Sequence, residues 1–578
     1  MGEQKNIVIA VVLSVAILVA WEFFQPPAPP SAETPAVTEA AAPDAGATTP
    51  ALPTTDVVVP GTPEPAQAVA PVVPQRDLVL AQVKRVPIAT PRLKGSISTK
   101  GGRVDDVSLV NYQTELAEGS PDVTLLSPSG TENAYYAEFG WTAAAGQGQT
   151  LPNGDTVWAS SGAELKPGQP VVLTWDNGQG LRFTRTFEVD ENYMFTVTQR
   201  VDNTSGKEVT LFPYGLISRS NTPEVSGLYI LHEGPLGVLD GSLKEVDYDQ
   251  LQKDGPIKTP SKGGWIGITD KYWLTALVPD QAAQVNTSFF YHQVDGKDRY
   301  QTDYMGEAKT IPSGQSAQVG NRFFAGAKEV NLLDAYTENL NIDRMDLAID
   351  FGWFYFLTKP FFHALRWFHG VFGNFGLAIL ALTVLVKLAL FPLANKSYKA
   401  MSKMKKIQPQ MKKLQERFKD DKTRLNQEMM DLYKKEGANP AAGCLPIFVQ
   451  IPVFFALYKV LFVTIEMRHA PFYGWIKDLS APDPTTVLNL FGLIPWTPPA
   501  FLAIGIWPVI MGLTMWVQQK LNPAPTDPVQ ASMMKYLPLI FTFILGAFPA
   551  GLVIYWAWNN SLSILQQWWI MRSTADKA

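Results

Sequence analysis

The last third of the chain contains five apolar stretches of the kind that crosses lipid bilayers. They cover residues 373–394, 444–464, 500–517, 535–548 and 551–570. The bilayer core offers the backbone no water to bond with, so such stretches form helices that satisfy their own peptide groups. Only Pro549 and Ala550 separate the last two stretches, which predicts a tight hairpin between short spans. With an apolar run at residues 7–24, the pattern predicts six membrane-spanning helices.

The first 75 residues combine an apolar segment with a segment that cannot fold. Residues 1–25 lack a small-x-small cleavage site, because the apolar run ends in the bulky Trp21, Phe23 and Phe24. We therefore expect an uncleaved signal anchor with its N-terminus in the cytoplasm. Residues 26–75 are rich in Pro and Ala and poor in aromatic side chains, a composition that buries too little surface to fold. They are expected to form a disordered periplasmic tether.

Residues 76–340 change to a period of two, which is the pattern of β-strands. Residues 181–189 and 193–201 alternate apolar and polar side chains, and the turn signal Asp202-Asn203 follows them. No helix of convincing length interrupts the alternating segments. Many short strands of this kind, with Gly and Asn turns between them, favour an antiparallel β-sandwich domain.

The segments that follow this domain are predicted to be helical. Residues 345–372 contain many aromatic side chains together with Lys359 and Arg366, which suits an amphipathic helix lying in the membrane interface. Residues 373–572 are expected to form a five-helix membrane core, and residues 573–578 a short tail. The predicted fold is therefore a membrane α-helical bundle, made of the N-terminal anchor and the five-helix core, with a β-sandwich domain outside the cytoplasm.

The connection at residues 395–443 is strongly basic and predicted to form two helices joined by a turn. Its apolar side chains, among them Met404, Met411 and Met429, recur at helical spacing. Two interpretations stay open for this hairpin. Its basic residues would touch lipid phosphates, or its Met-rich face would dock varied apolar segments.

The distribution of positive charge predicts the topology. Residues 395–443 carry thirteen Lys and Arg residues, whereas residues 465–499 carry only Arg468 and Lys477. Positively charged connections stay in the cytoplasm. We therefore expect the hairpin and both termini in the cytoplasm, and the β-domain in the periplasm of a bacterial inner membrane.

Composition argues against several classes of function. The net charge of −5 gives no reason to expect nucleic-acid binding. A single cysteine, Cys444, excludes an intrachain disulfide and a Cys-based metal cage. The five histidines show no metal-binding spacing, and no phosphate-cradling Gly-Lys loop occurs. We therefore expect no catalytic residues, no metal and no cofactor, and a protein that is not an enzyme.

Lys387 is a charged side chain within an apolar stretch, where it is costly. Its flexible stem could carry the ammonium to the interface, or the ammonium could lie in a hydrated cavity. Thr383 lies one helical turn earlier, Gln450 lies in the next stretch, and Tyr555 and Asn559 share one face of the last stretch. Polar side chains on three separate stretches favour a shared wet cavity.

Several short motifs resemble those of the YidC-type membrane protein insertases. They are Gln408-Pro409, Asn-Pro-Ala-Ala-Gly-Cys-Leu-Pro at residues 439–446, Gln-Ile-Pro at 450–452, Phe-Pro-Ala-Gly-Leu at 548–552, and Tyr555. The resemblance covers residues 347–572 closely. It is to the long form of Gram-negative bacteria, which is related to the mitochondrial and chloroplast insertases.

The resemblance implies a hydrophilic groove that is open to the cytoplasm and to lipid and closed toward the outside. Lys387 stands where the family usually has arginine, which keeps the charge but loses the rigid fork of a guanidinium. The groove would hold the polar part of a substrate. The apolar helix of the substrate would slide out into lipid along the remaining implied contact residues, which are Gln450, Ile451, Pro452, Phe454, Tyr555 and Trp556.

The implied partners are nascent membrane-protein segments, the lipid bilayer, the Sec translocon and, through the cytoplasmic hairpin, the ribosome. The implied function is insertion and folding of new inner-membrane proteins, alone or with the translocon. Two other classes stay open. A secondary transporter or channel would explain a buried cation and a wet cavity, although no internal duplication is visible. A periplasmic enzyme or sugar-binding protein would place function in the β-domain.

Overall fold

The computed structural model describes residues 76–575 except residues 145–147, 226–230, 295, 420, 438–444, 490–493, 495, 497, 500–502 and 523–527. The predicted anchor, the predicted tether, Cys444 and residues 576–578 of the predicted tail lie outside the described residues. Within them, a β-domain is followed by a part built of helices.

The described residues of the β-domain form nineteen strands. In chain order they are β1 (Arg85–Ala89), β2 (Leu93–Ser98), β3 (Val104–Gln113), β4 (Asp122–Leu126), β5 (Tyr135–Ala143), β6 (Ala159–Ser161), β7 (Val171–Asp176), β8 (Leu181–Val189), β9 (Met194–Asn203), β10 (Val209–Ser220), β11 (Gly234–Leu239), β12 (Ser242–Glu245), β13 (Ile257–Lys262), β14 (Trp265–Thr269), β15 (Trp273–Val278), β16 (Gln284–Val294), β17 (Lys297–Gly306), β18 (Lys309–Ile311) and β19 (Ser316–Ala327).

These strands make two antiparallel sheets. The first has the order β1-β2-β3-β5-β10-β17-β16-β13, with β4 paired to β3 and β18 paired to β10. The second has the order β12-β11-β14-β15-β19-β9-β8-β7-β6. The predicted antiparallel β architecture is confirmed.

The two sheets pack face to face because each strand alternates its buried side chains. In β8, Leu181, Phe183, Arg185 and Phe187 are buried, and the residues that alternate with them are less buried. Phe139 of the first sheet meets Phe323 of the second, with ring centroids 6.1 Å apart. Apolar side chains of both sheets therefore form one core.

Three helices accompany the strands, namely α1 (Arg76–Leu80), α2 (Tyr248–Asp254) and α3 (Val330–Asn339). The sequence analysis did not predict them. α3 follows the last strand and buries Val330, Leu333 and Tyr336, which recur every three residues. That pattern spans only three turns and mixes with polar residues, so its signal in the sequence is weak.

The remaining helices form the second part of the chain. They are α4 (Tyr355–Phe372), α5 (Phe375–Ala389), α6 (Phe391–Arg417), α7 (Lys422–Glu436), α8 (Leu445–Val463), α9 (Ile506–Leu521), α10 (Pro528–Gly546) and α11 (Ala550–Ala575), with 3₁₀ turns at Met345–Ala348 and Ile465–Met467. α11 packs against α5, α6, α8 and α9, so it lies at the centre of this part.

The described helices differ from the predicted spans in length. No single described helix is both long and apolar enough to cross a bilayer by itself, whereas α5 and α6 pass that test together across a bend of 67°. Phe448–Val463 and Ala531–Gly546 are apolar but shorter. The six predicted spans and the predicted domain limits therefore stay predictions.

The bend after α5 contradicts the expectation that residues 373–394 form one continuous helix. α5 ends at Ala389, and α6 begins at Phe391 with Pro392 in its first turn. A proline ring has no N–H to donate and disfavours helical geometry in the residue before it. The first turn of a new helix tolerates proline, so the chain starts a second helix there.

α6 and α7 pack against each other as an antiparallel hairpin. Ile407, Met411 and Met429 are buried between them, and Met404 packs against this cluster. Met411 and Met429 therefore stabilise the hairpin itself, because two amphipathic helices bury their apolar stripes against each other. The free Met-rich face that the sequence suggested is thus smaller than expected.

One carboxyl group of the β-domain is buried in an unusual environment. Asp303 of β17 is almost fully buried and accepts a hydrogen bond from Gln301 Nε2 at 2.7 Å. Burial disfavours the charged form and raises the pKa of Asp303 to about 7, although Gln301 and Lys258 oppose the shift. The folded β-domain therefore holds a proton here that the unfolded chain releases near its ordinary pKa of about 3.9.

Replacing Asp303 with asparagine tests this protonation. The contribution of Asp303 to the free energy of unfolding falls as pH rises from about 4 to about 7, by at most about 1.4 kcal/mol per pH unit, because the folded state binds this extra proton. Asp303→Asn should flatten this dependence, and Asp254→Asn, at an exposed position, should keep it. Urea denaturation at several pH values measures both. An unchanged slope in Asp303→Asn would contradict the assignment.

Candidate functional site

Lys387 lies in the last turn of α5, two residues before the helix ends at Ala389. The predicted stretch runs to residue 394, which would leave seven residues, about two helical turns, after Lys387, whereas the bend shortens this distance to two residues. The C-terminal end of a helix carries partial negative charge, which favours a cation there. The ammonium Nζ donates a hydrogen bond to Ser563 Oγ of α11 at 2.7 Å. It therefore lies between two helices.

Ser563 connects Lys387 to the interior of the bundle. Its side chain is buried, and its hydroxyl donates to the backbone carbonyl of Asn559 at 2.8 Å. The hydroxyl of Tyr398, in α6, also hydrogen-bonds to Ser563. One serine thus joins α5, α6 and α11 next to the bend. The sequence analysis did not identify Ser563 or Tyr398.

α11 carries a stripe of buried polar side chains. Tyr555, Asn559, Ser563 and Gln567 are each four residues apart and are 1–6% exposed. Residues at this spacing share one face of a helix. The stripe could have been found in the sequence by extending the pair Tyr555 and Asn559 by two further steps of four residues.

Gln450 joins α8 to the same stripe. Its side-chain amide Nε2 donates a hydrogen bond to the hydroxyl of Tyr555. Both residues were predicted from the sequence to line the groove, and the structure brings them into direct contact. An amide and a phenol that meet inside a helical bundle satisfy each other and fix the relative position of the two helices.

Thr383 does not join these contacts. Its hydroxyl donates to the carbonyl of Ile379, four residues earlier in α5, at 2.7 Å, and its side chain is buried. Threonine within a helix often forms this bond to its own backbone. The hydroxyl hydrogen of Thr383 is therefore used within α5, and the predicted contact of Thr383 with a substrate stays a prediction.

Aromatic side chains pack beside the Gln450–Tyr555 contact. Phe454 of α8 meets Trp556 of α11 with ring centroids 5.2 Å apart in an edge-to-face arrangement. Ile451 is exposed, and Pro452 is half-buried. α8 therefore packs one face against α11 and leaves apolar side chains uncovered on another.

A buried carboxylate holds the segment before α9. Asp483 Oδ2 accepts the backbone N–H of Trp507 at 2.9 Å, and its Oδ1 accepts the indole N–H of Trp475 at 3.1 Å. The backbone N–H of Ala550, the first residue of α11, donates to the carbonyl of Ala481 at 2.7 Å. This segment thus packs over the beginnings of α9 and α11.

The β-domain has a cleft of about 210 Å³ whose cations are already paired. Arg103 contacts Glu138 at 2.6 Å, and Lys100 contacts Asp155 at 2.8 Å. Among the described residues, no group of three or more His, Cys, Asp or Glu side chains is placed to hold a metal ion.

Two family models match the chain over most of its length. One, described as the YidC periplasmic domain, matches residues 85–364, and the other, described as the 60Kd inner membrane protein, matches residues 367–577. A membrane protein insertase YidC of Bradyrhizobium diazoefficiens is 51% identical over 100% of this chain and 97% of its own length. Another, of Rickettsia felis, is 52% identical over 86% of this chain and 89% of its own length.

A solved structure of an active YidC insertase also matches. It covers 83% of this chain and 92% of its own, with 18% sequence identity and a TM-score of 0.35. The family models and the two relatives identify the class as inner membrane proteins with a periplasmic domain. Within that class, the chain belongs to the YidC family of membrane protein insertases, which confirms the resemblance found in its motifs.

The contact between Lys387 and Ser563 can be tested through stability. Ser563→Ala would remove the hydroxyl that accepts from the ammonium and should destabilise the helical part by about 1 kcal/mol or more. Ser561→Ala is a matched control, because Ser561 makes the same bond to a carbonyl four residues earlier, at 2.8 Å. Thermal unfolding in detergent measures the two variants.

A double-mutant cycle completes this test. In a Lys387→Met background, the extra loss caused by Ser563→Ala should disappear, because the cation that needed the hydroxyl is gone. An equal loss with and without Lys387 would show that the two side chains do not interact.

Proposed function

We propose that this protein inserts newly made membrane proteins into the bacterial inner membrane and assists their folding, without chemical catalysis. The observation that carries the proposal is the pair of contacts Lys387–Ser563 and Gln450–Tyr555 on the buried stripe of α11. The Gln450–Tyr555 contact lies next to the exposed Ile451 of α8. The family relationship supports the same function.

Lys387 would receive the polar or acidic part of a substrate. An ammonium has three N–H donors, and Ser563 takes one of them. The other two are enough to hold a substrate carboxylate. Because a charged side chain at the bilayer centre costs about 2.5–3.5 kcal/mol on insertion scales, a partner cation would lower the barrier to crossing.

The apolar part of the substrate would move along α8 toward lipid. Ile451, Pro452 and Phe454 on α8, with Trp556 on α11, would offer it an apolar surface next to the polar stripe. Its transfer from water into lipid is favourable and supplies the driving force, so no nucleotide is needed.

The topology and partners follow from the same proposal. The basic α6–α7 hairpin would lie in the cytoplasm, with both termini, and the β-domain in the periplasm. The amphipathic α4 would lie in the interface, since Phe356 and Trp367 are exposed while Phe362 and Leu365 are buried. The Sec translocon would be a partner for some substrates, and the ribosome would contact the hairpin.

Substitution of Lys387 tests the proposed role of charge. Lys387→Ala should slow the insertion of a short substrate with an acidic periplasmic tail, because the tail loses its counter-charge. Lys387→Arg should retain most of the activity, because it keeps that charge. Protease protection of the substrate tail in reconstituted vesicles measures insertion.

Two controls make the result specific. Lys520→Ala removes a lysine from the last turn of another apolar helix, α9, where it is exposed, and should leave insertion unchanged. A substrate with a neutral tail should depend less on Lys387. If Lys387→Ala inserts the acidic substrate at the parent rate, Lys387 has no part in the mechanism.

A further inference from the structure

The C-terminal end of α8 is held by an ion pair with the segment between α3 and α4, which leaves the β-domain and is called the exit segment below. Lys459 Nζ lies 2.6 Å from Asp350 Oδ2 and also donates to the Asp350 carbonyl at 3.3 Å. Gly352 adopts a φ of +71°, and a Cβ there would meet Lys459 Cε at 2.9 Å. The turn at residues 350–352 is therefore shaped around the lysine.

The 3₁₀ turn after α8 makes a second contact with the β-domain. The carboxylate of Glu466 accepts the backbone N–H of Val330, which is the first residue of α3. A carboxylate at a helix N-terminus is favoured by the helix dipole. Burial disfavours the charged form and raises the pKa of Glu466 to about 7, although the hydrogen bond from Val330 opposes this shift.

Each side of this interface also contributes one cation that contacts the other side. Arg468, just after this turn, donates to the carbonyl of Gln113 at 2.6 Å and to that of Thr114 at 3.2 Å, at the end of β3. Lys271 of the β-domain lies 3.6 Å from the ring centroid of Phe462 of α8. The last turn of α8 and the residues after it therefore touch the β-domain at several points.

These contacts lie on a different face of α8 from the groove residues. Lys459 is nine residues from Gln450, which places the two about half a turn apart around the axis at about 100° per residue. One side of α8 thus meets the stripe of α11, and the opposite side meets the segment that leaves the β-domain.

We propose that the β-domain and its exit segment act as a clamp on α8, which sets the position of Gln450 and Phe454 against α11. Lys459, Asp350 and Arg468 are positioning residues, because they act through α8 and do not touch the substrate. The proposal rests on the proposed insertion function. It adds that the β-domain contributes to insertion by fixing the geometry of the groove.

A distance measurement tests the clamp directly. Spin labels on the exposed positions Phe448 of α8 and Leu565 of α11, in a Cys444→Ser background, report how the two helices lie relative to each other. Lys459→Met with Arg468→Gln should broaden or shift the distance distribution in lipid nanodiscs. It should also slow insertion by roughly threefold or more, as expected for the loss of coupled contacts.

Three variants keep this test specific. Lys477→Met removes an exposed lysine from the segment between α8 and α9 and should change neither the distance distribution nor the insertion rate. Lys459→Arg keeps the positive charge and should keep the parent distance distribution and insertion rate. Exchange of the charges, with Lys459→Asp and Asp350→Lys together, should recover the distance distribution that Lys459→Asp alone loses.

The outcomes separate the clamp from the proposed function. An unchanged distance distribution in the double variant would overturn the clamp, and so would a changed distribution with normal insertion. Normal insertion by Lys387→Ala would contradict the proposed function of the groove. The distance measurement would still decide whether the β-domain positions α8.

Discussion

The helical part of this protein depends on the buried polar stripe of α11. Tyr555, Asn559, Ser563 and Gln567 would be costly inside an apolar bundle unless their neighbours satisfied them. Gln450 of α8 and Lys387 of α5 meet two of these side chains directly. The stripe therefore selects which helices surround α11 and in what rotation. The same contacts place polar groups beside an apolar surface, which is the combination that the proposed insertion path needs.

α8 is the element that joins the two parts of the chain. Gln450 and Phe454 of α8 contact α11. The C-terminal end of α8 is bound through Lys459 to the segment that leaves the β-domain, and Arg468, after α8, is bound to the β-domain itself. The two sheets of the β-domain share one large apolar core, so the β-domain is rigid. A rigid support that holds one wall of a groove restricts how far that wall can move when a substrate enters.

The sequence predicted the features that depend on local patterns. The alternation over Leu181–Val189 showed a strand, and the motifs around Gln450 and Tyr555 showed the family. It did not show the bend after Ala389, because the apolar run continues past it, although Pro392 was a signal. The sequence also could not show that the Thr383 hydroxyl donates to a carbonyl of its own helix, or that Ser563 accepts a hydrogen bond from Lys387. Those choices depend on which helices lie side by side, and a single sequence does not contain that information.

In the proposed function, the substrate passes along Gln450 of α8 and Trp556 of α11, beside the polar stripe of α11. Site-specific photocrosslinking to a stalled nascent membrane segment tests it most directly, with the probe placed in turn at Gln450, Trp556 and the exposed Leu565 of α11. Crosslinks to the nascent chain are expected from the first two positions and not from Leu565. Crosslinks from Leu565 alone, or equal crosslinks from all three positions, would contradict it.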